Sequence, residues 1–542
     1  MMRAHPSTTV AFLLAALLVG CDEADDPTAP PAYLARAVQD DVEALIGGSM
    51  AGWWRAAHGE WPGPALSTAA DAHTSSWRNW GMLDAGMEPR QPLRLERDYR
   101  FNFTVQPWVE LYRTLVAARD GLVAIDQGVQ LGEGGADTDR ARAFGAFMQG
   151  LALGTLAELY DEAYILDETT DPAALTRAPY PEVASAALAK LDDAIGLAGQ
   201  SSFVVPAEWV AFGADMDQDG LARLARSWKA RIRASVPRSP GERTAVDWTA
   251  VAADASAGIT VDWFGRYDGN WEENWAFSID KLWTGSVPIW ARMDYRTIGP
   301  ADASGAWVEW INAPPAARRP FPIDTDDRRV TGGSPESSGI YMDFHAETAF
   351  RPQRGRDHFS MYADTRWRHL LDAEGVGDYV DFPVKELAFL RAEALYRTGD
   401  RAGAMAIVNQ WRAHGGLPAF ASPSQPAPGG ARCVPRMPDG SCGDLWEAFK
   451  YEKRIELFHY GPYTEYLDDR GWGDLVAGTF TELPAPDIDL LTLLQEIYDE
   501  ADAAAAAELA NETSFEGLHR KREAVDRYDR TRAADPGQVG AG

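Results

Sequence analysis

The chain has 542 residues, 46% hydrophobic and 24% charged, which excludes a disordered protein and leaves ample apolar material for a large core. Its 81 acidic residues against 51 Lys and Arg give a formal charge of −30. That balance excludes sequence-independent nucleic-acid binding, because phosphates must be neutralised by cations.

The first twenty residues read as an address. Arg3 precedes an apolar run from Ala11 to Val19, too short to span a bilayer, so 1–20 is expected to be a secretory signal. Leu18-Val19-Gly20 before Cys21 resembles the lipobox of bacterial lipoproteins, which implies that Cys21 carries lipid and becomes the mature N-terminus. Residues 21–32 are acidic, then Pro-rich, as suits a tether. Acidic residues directly after the cysteine also resemble the surface-export signal of Bacteroidota-type lipoproteins.

Apolar spacing predicts helices through 33–245. Leu34-Ala35, Val38, Val42 and Leu45-Ile46 form a stripe expected to end at Gly47-Gly48. Trp108, Leu111-Tyr112 and Leu115-Val116 begin a second helix. Phe144 to Leu159, broken by Gln149 and Glu158, gives a third and reads as buried rather than transmembrane. Leu188, Leu191 and Ile195 mark a fourth, and Leu224, Trp228 and Ile232 continue the pattern. No strand-like alternation of comparable length appears.

Between 246 and 380 Gly, Pro, Asp and Trp become dense, and seven of the 20 tryptophans fall between Trp263 and Trp310. This region is expected to be loop-rich and ligand-facing. Helices return over 381–495. Lys385 to Arg397 and Arg401 to Arg412 read as an αα-hairpin, with Ala392, Gly399 and Ala404 as close-approach positions, a tetratricopeptide-type unit. Leu445 to Phe458 supplies a partner helix, and 496–542 reads as a surface helix with a charged tail. With Cys21 committed to lipid, Cys433 and Cys442 remain in a Pro/Gly loop in an oxidising compartment, so a disulfide is expected between them. The expected class is all-α: helical repeats with a Trp-rich elaboration.

Catalytic motifs are absent from the sequence: no H-E-x-x-H, no G-x-S-x-G, no P-loop lysine. A pair of carboxylates working on a glycosidic bond remains open, since two such acids can come from anywhere in the chain. Asp468-Asp469 reads as capping or solvated. Asp215, Asp217 and Asp219 alternate before Gly220 like half a calcium loop, but Arg226 stands where the bidentate Glu belongs; a structural Ca2+ and a solvated turn are both open. No cofactor is required. Trp77-Arg78-Asn79-Trp80 combines stacking faces with hydrogen-bonding groups, the mixture a polyhydroxylated ligand needs. Trp271, Trp275, Trp283, Tyr295, Trp307 and Trp310 are the further ligand candidates, with core packing the alternative for each.

Four stretches carry a resemblance to the SusD/RagB family of outer-membrane nutrient-binding lipoproteins. They are Trp108 to Tyr112 with Ala117-Ala118-Arg119, Ala141 to Phe144 continuing to Leu159-Tyr160-Asp161, Leu390 to Tyr396 through Val408-Asn409, and Tyr451 to Leu457 followed by Arg470-Gly471-Trp472-Gly473. Tyr460-Gly461-Pro462-Tyr463 departs from the family's E-G-x-R at that corner. The resemblance spans about residues 33–495. It implies tetratricopeptide-like helix pairs under a variable region, and a non-enzymatic cell-surface role. An oligosaccharide or other oligomeric nutrient would be captured and passed to a TonB-dependent, SusC-like barrel. A secreted glycoside hydrolase and a ligand-free scaffold are the competing expectations.

Overall fold

The computed structural model describes residues 32–59, 61–75, 81–90, 98–210, 214–267, 291–347, 359–373, 376–493 and 495. The signal, Cys21, the tether and the expected surface helix over 496–542 lie outside them. The helices that build the frame are α1 Ala32–His58, α2 Asp98–Asp126, α3 Thr138–Leu159, α4 Tyr180–Ala198, α5 Gln218–Ser235 and α6 Trp248–Ser256. After the loop-rich region come α7 Val384–Arg397, α8 Arg401–His414, α9 Leu445–Leu457 and α10 Thr464–Trp472. From α1 to α9 each helix packs on the next, and α6 meets α7 directly although residues 257–383 intervene. This is an all-α, tetratricopeptide-like array.

Local chemistry explains several boundaries. Helix α1 does not stop at Gly47-Gly48 but continues to His58. Gly47 is there for proximity: a Cβ would stand 2.3 Å from the Trp209 indole nitrogen. Helix α3 is buried from Ala143 to Leu159, as expected. Its Gly150 and Gly154 let Leu191 of α4 and Ile232 of α5 come within 2.7 and 2.3 Å of where a Cβ would be. Asp217, Asp247, Asp400 and Asp444 cap α5, α6, α8 and α9 by accepting from backbone N–H groups. In the hairpin, Ala392 and Ala404 are buried as read, but Gly399 meets nothing within 4 Å. Its φ of +98° ends α7 in the left-handed conformation, which is why glycine stands there.

Strands exist where none were expected. They are two to six residues long, below the length at which alternation is readable, and among the described residues they pair only as ribbons. In chain order they are β1 His73–Ser75, β2 Glu162–Tyr164, β3 Arg177–Pro179, β4 Val204–Val205, β5 Met216–Asp217, β6 Trp263–Tyr267, β7 Ala291–Met293, β8 Met342–Phe344, β9 Tyr362–Asp364 and β10 Gly377–Phe382. The antiparallel pairs are β1–β7, β2–β3, β4–β5, β6–β10 and β8–β9.

The first hydrophobic core runs through the array, from Val42 to Leu483. A second gathers Tyr295, Ile298, Trp310, Ile323 and Tyr362 from the loop-rich region against Tyr451 and Ile455 of α9 and Phe458 just after it. A third lies between α7, α8 and α9 and includes Cys433. Buried ion pairs cross-link distant helices. Arg243 meets Glu393 at 2.7 Å and Asp468 at 2.8 Å, while Arg329 meets Asp327, Glu452 and Glu456 within 2.9 Å. The carbonyls ending α3 are closed by arginines: Arg238 donates to the Ala157 and Tyr160 oxygens, and Arg470 to that of Glu158. At the Tyr460–Tyr463 corner, His459 and Tyr463 hold φ of 59° and 40°, a left-handed backbone unusual for such residues. The His459 N–H is fixed by Glu465, and its ring lies 3.1 Å from Asp364. No helix among the described residues is long and apolar enough to cross a membrane.

Candidate functional site

Trp77, Arg78, Asn79, Trp80, Trp271, Trp275 and Trp283 lie outside the described residues. Among the described residues, Ser75, which ends β1, is the register partner of Ala291, which begins β7.

The other predicted ligand residues take a different role. Tyr295 and Trp310 are buried: Tyr295 stacks on Phe321 at 4.2 Å, its ring is tilted against that of Trp310 at 5.3 Å, and its hydroxyl donates to the Phe321 carbonyl. They are core residues, not displayed platforms. The cause is local: Gly305, left-handed at φ +91°, starts the short helix Ala306–Asn312, and its positions 307 and 310 share the inward face. Trp307 is buried too, but it also borders a cleft.

That cleft, of about 230 Å³, lies at the opposite end of the β1–β7 ribbon, beside Asp71 before β1 and Arg296 after β7. Trp307 and Ile311 give it an apolar side. The loop 435–438 forms another wall, held by the Cys433–Cys442 disulfide, which is formed as expected. Arg436 in this loop donates its N–H to the Pro300 carbonyl at 2.7 Å. Helix α9 supplies Glu447, Lys450, Tyr451 and Arg454, and Asp469 and Asp474 come from α10 and the turn after it.

The charged groups are tightly arranged. Lys450 lies 3.0 Å from Glu447 and 2.8 Å from Asp474, and Arg454 is 2.7 Å from Asp469 and also pairs with Asp474. Arg296 meets Glu88 at 2.6 Å, and Arg90 meets Asp71 at 2.6 Å. Burial pushes the Asp469 carboxyl up against the pull of Arg454. Burial acts on Asp474 as well, but Arg454 and Lys450 outweigh it and hold that carboxyl below the usual range. The cleft thus joins an aromatic side to dense donors and acceptors that are largely paired with one another.

Two other cavities have different chemistry. One, of about 350 Å³, is an acidic groove between α2, α3 and α4 that includes Asp126, Glu168, Asp192 and Asp193. The other, about 520 Å³ and mainly apolar, lies where β4–β5 and the start of α5 face the start of β6. Asp215 and Asp217 border it. Asp215 accepts the Ala207 N–H at 3.0 Å and Asp217 caps α5 from Gly220 at 2.7 Å, while Asp219 lies in the first turn of α5. No group of three acidic, His or Cys residues among the described residues is placed to hold a metal ion. The Asp-rich turn forms the start of α5.

No protein-family model matches the chain, and no curated protein matches it either. Solved structures do. A SusD-like protein from Bacteroides fragilis aligns at 13% identity with a TM-score of 0.52, over 86% of this chain and 97% of its own. A SusD superfamily protein, also from Bacteroides fragilis, aligns at 14% identity and 0.51, over 84% and 97%. The chain has the SusD-like fold, as its motifs implied.

Proposed function

We propose that this chain is a lipid-anchored outer-membrane protein that captures a glycan at the cell surface, without chemistry, and passes it to a TonB-dependent, SusC-like barrel. The observation that supports it most is the fold, a SusD-like frame matched over 84–86% of the chain. The lipobox-like residues before Cys21 and the mixed aromatic and charged cleft agree with it. A glycan array on the full-length protein in detergent tests capture; no bound glycan on the panel would end this reading. Trp80→Ala and Trp283→Ala are each expected to weaken the best ligand by about 1–3 kcal/mol. Cys21→Ala should release the protein from salt-washed membranes, and cross-linking before gentle extraction should recover a large barrel with it.

A second reading has one observation in its favour. Asp469 and Asp474 both reach Arg454, and their carboxyls are driven in opposite directions, as in a general acid and its ionised partner. Release of reducing ends from a polysaccharide panel, lost in Asp474→Asn, would support a hydrolase instead.

A further inference from the structure

The 520 Å³ cavity has no part in that reading, and its chemistry differs from the cleft's. Val204 of β4 and Val261 ahead of β6 both line it and are 51% and 74% exposed, among the most exposed large aliphatic residues described. Met216, Ile259 and Trp263 extend the apolar surface. Apolar side chains left in water around a single hollow are unfavourable unless something covers them.

The polar groups at this hollow are chiefly acidic. Asp215, Asp217 and Asp262 line it, and each accepts a backbone N–H on one carboxylate oxygen: that of Ala207, of Gly220, and of Val384 at 2.7 Å. One Oδ of each carboxylate is engaged in this way, which leaves acceptor capacity on the other. Arg223 is the cation in the lining, exposed and with no ion pair among the described residues. Three carboxylates against one guanidinium, on a chain of charge −30, set a negative potential over an apolar floor.

We infer that this cavity is a second ligand site, for a small organic cation with an apolar body: an aliphatic or aromatic amine whose hydrocarbon covers Val204, Val261 and Trp263 while its ammonium meets the aspartates. A volume of 520 Å³ lies in the range of small-molecule sites. A glycan suits it poorly, since hydroxyls on that floor would lose water without replacement.

The test is a calorimetric titration of the full-length protein with 4-phenylbutylamine, 4-phenylbutanol and 4-phenylbutyrate in low and high salt. The amine is expected to bind about tenfold more tightly than the alcohol, and the carboxylate not at all, with the preference shrinking in salt. Val261→Lys and Val204→Lys, at exposed positions that the fold tolerates, are each expected to weaken amine binding about tenfold or more. Equal binding of all three probes, absence of amine binding, or amine binding untouched by both lysines would overturn the assignment. Glycan capture is measured separately, so either proposal can fail alone.

Discussion

Glu158 is fully buried near the end of α3, and its Oε1 has no hydrogen-bond partner among the described residues. Burial pushes its carboxyl up to about 7 in spite of Arg231 and Arg470. A folded-state value above the ordinary 4.5 means stability is lost as pH rises from there through about 7. Glu158→Gln should therefore match the parent near pH 5 and exceed it by roughly 2–3 kcal/mol at pH 8 in urea unfolding. An identical pH slope in both proteins would refute this. Glu393 has the opposite sign: burial raises it, but Arg243, Lys453 and Arg397 hold it at about 2. Its contribution is present above 4.5 and lost as pH falls toward 2. Arg243→Ala strands that carboxylate and should cost about 3–5 kcal/mol at pH 7, with the penalty shrinking in acid as Glu393 takes a proton.

At the scale of the element, adjacent glycines in α1 make a paired prediction. Gly48 has open space where a Cβ would go, so Gly48→Ala should raise stability by up to about 1 kcal/mol through helix propensity. Gly47→Ala gains the same propensity but meets the Trp209 indole at 2.3 Å, and should lower stability by about 1–3 kcal/mol. Melting temperatures of the two variants should move apart; a shift in the same direction would refute the packing account. The pair also shows what was readable in advance. Apolar spacing located the frame helices because each buries one stripe, whereas a glycine that ends a helix and one that admits a neighbour look alike in sequence. The family-like motifs were readable because they tie the frame together: Arg470 closes α3, and Glu393 holds Arg243. The cleft was not readable, because Asp71, Arg296, Arg436, Lys450 and Asp469 are distant in sequence and only the folded β1–β7 ribbon and α9 unite them. Trp307 and Trp310 were visible as aromatics, but not the turn at Gly305 that sends them inward.

At the scale of the whole molecule, the two helical stretches share one core. Leu387, Leu390, Tyr463, Leu467, Phe480 and Leu483 pack with residues of α1 to α6. Arg470 also supplies the hydrogen bonds that the Glu158 and Ser235 carbonyls require. A fragment ending at residue 380 would expose that apolar face and orphan those carbonyls. It should show no cooperative melting transition by calorimetry, while the full chain unfolds its frame as one unit. A fragment with a sharp transition near that of the full chain would contradict the shared core.

The β6–β10 ribbon has an evolutionary consequence. Tyr267 and Gly377 are register partners, so the chain leaves the frame and re-enters it at adjacent backbone positions. Such a neck makes the enclosed stretch a replaceable cassette. Doubling the length of a closed flexible loop costs only about 0.6 kcal/mol, so selection can lengthen, shorten or exchange it with little penalty to the array. The splice is not free of all constraint. Whatever is inserted between those two residues must bring an apolar surface that fits Tyr451 and Ile455 of α9 and Phe458 just after it. The enclosed stretch can therefore change quickly where it faces water, and slowly where it meets β1, α9 and the residues just beyond α9.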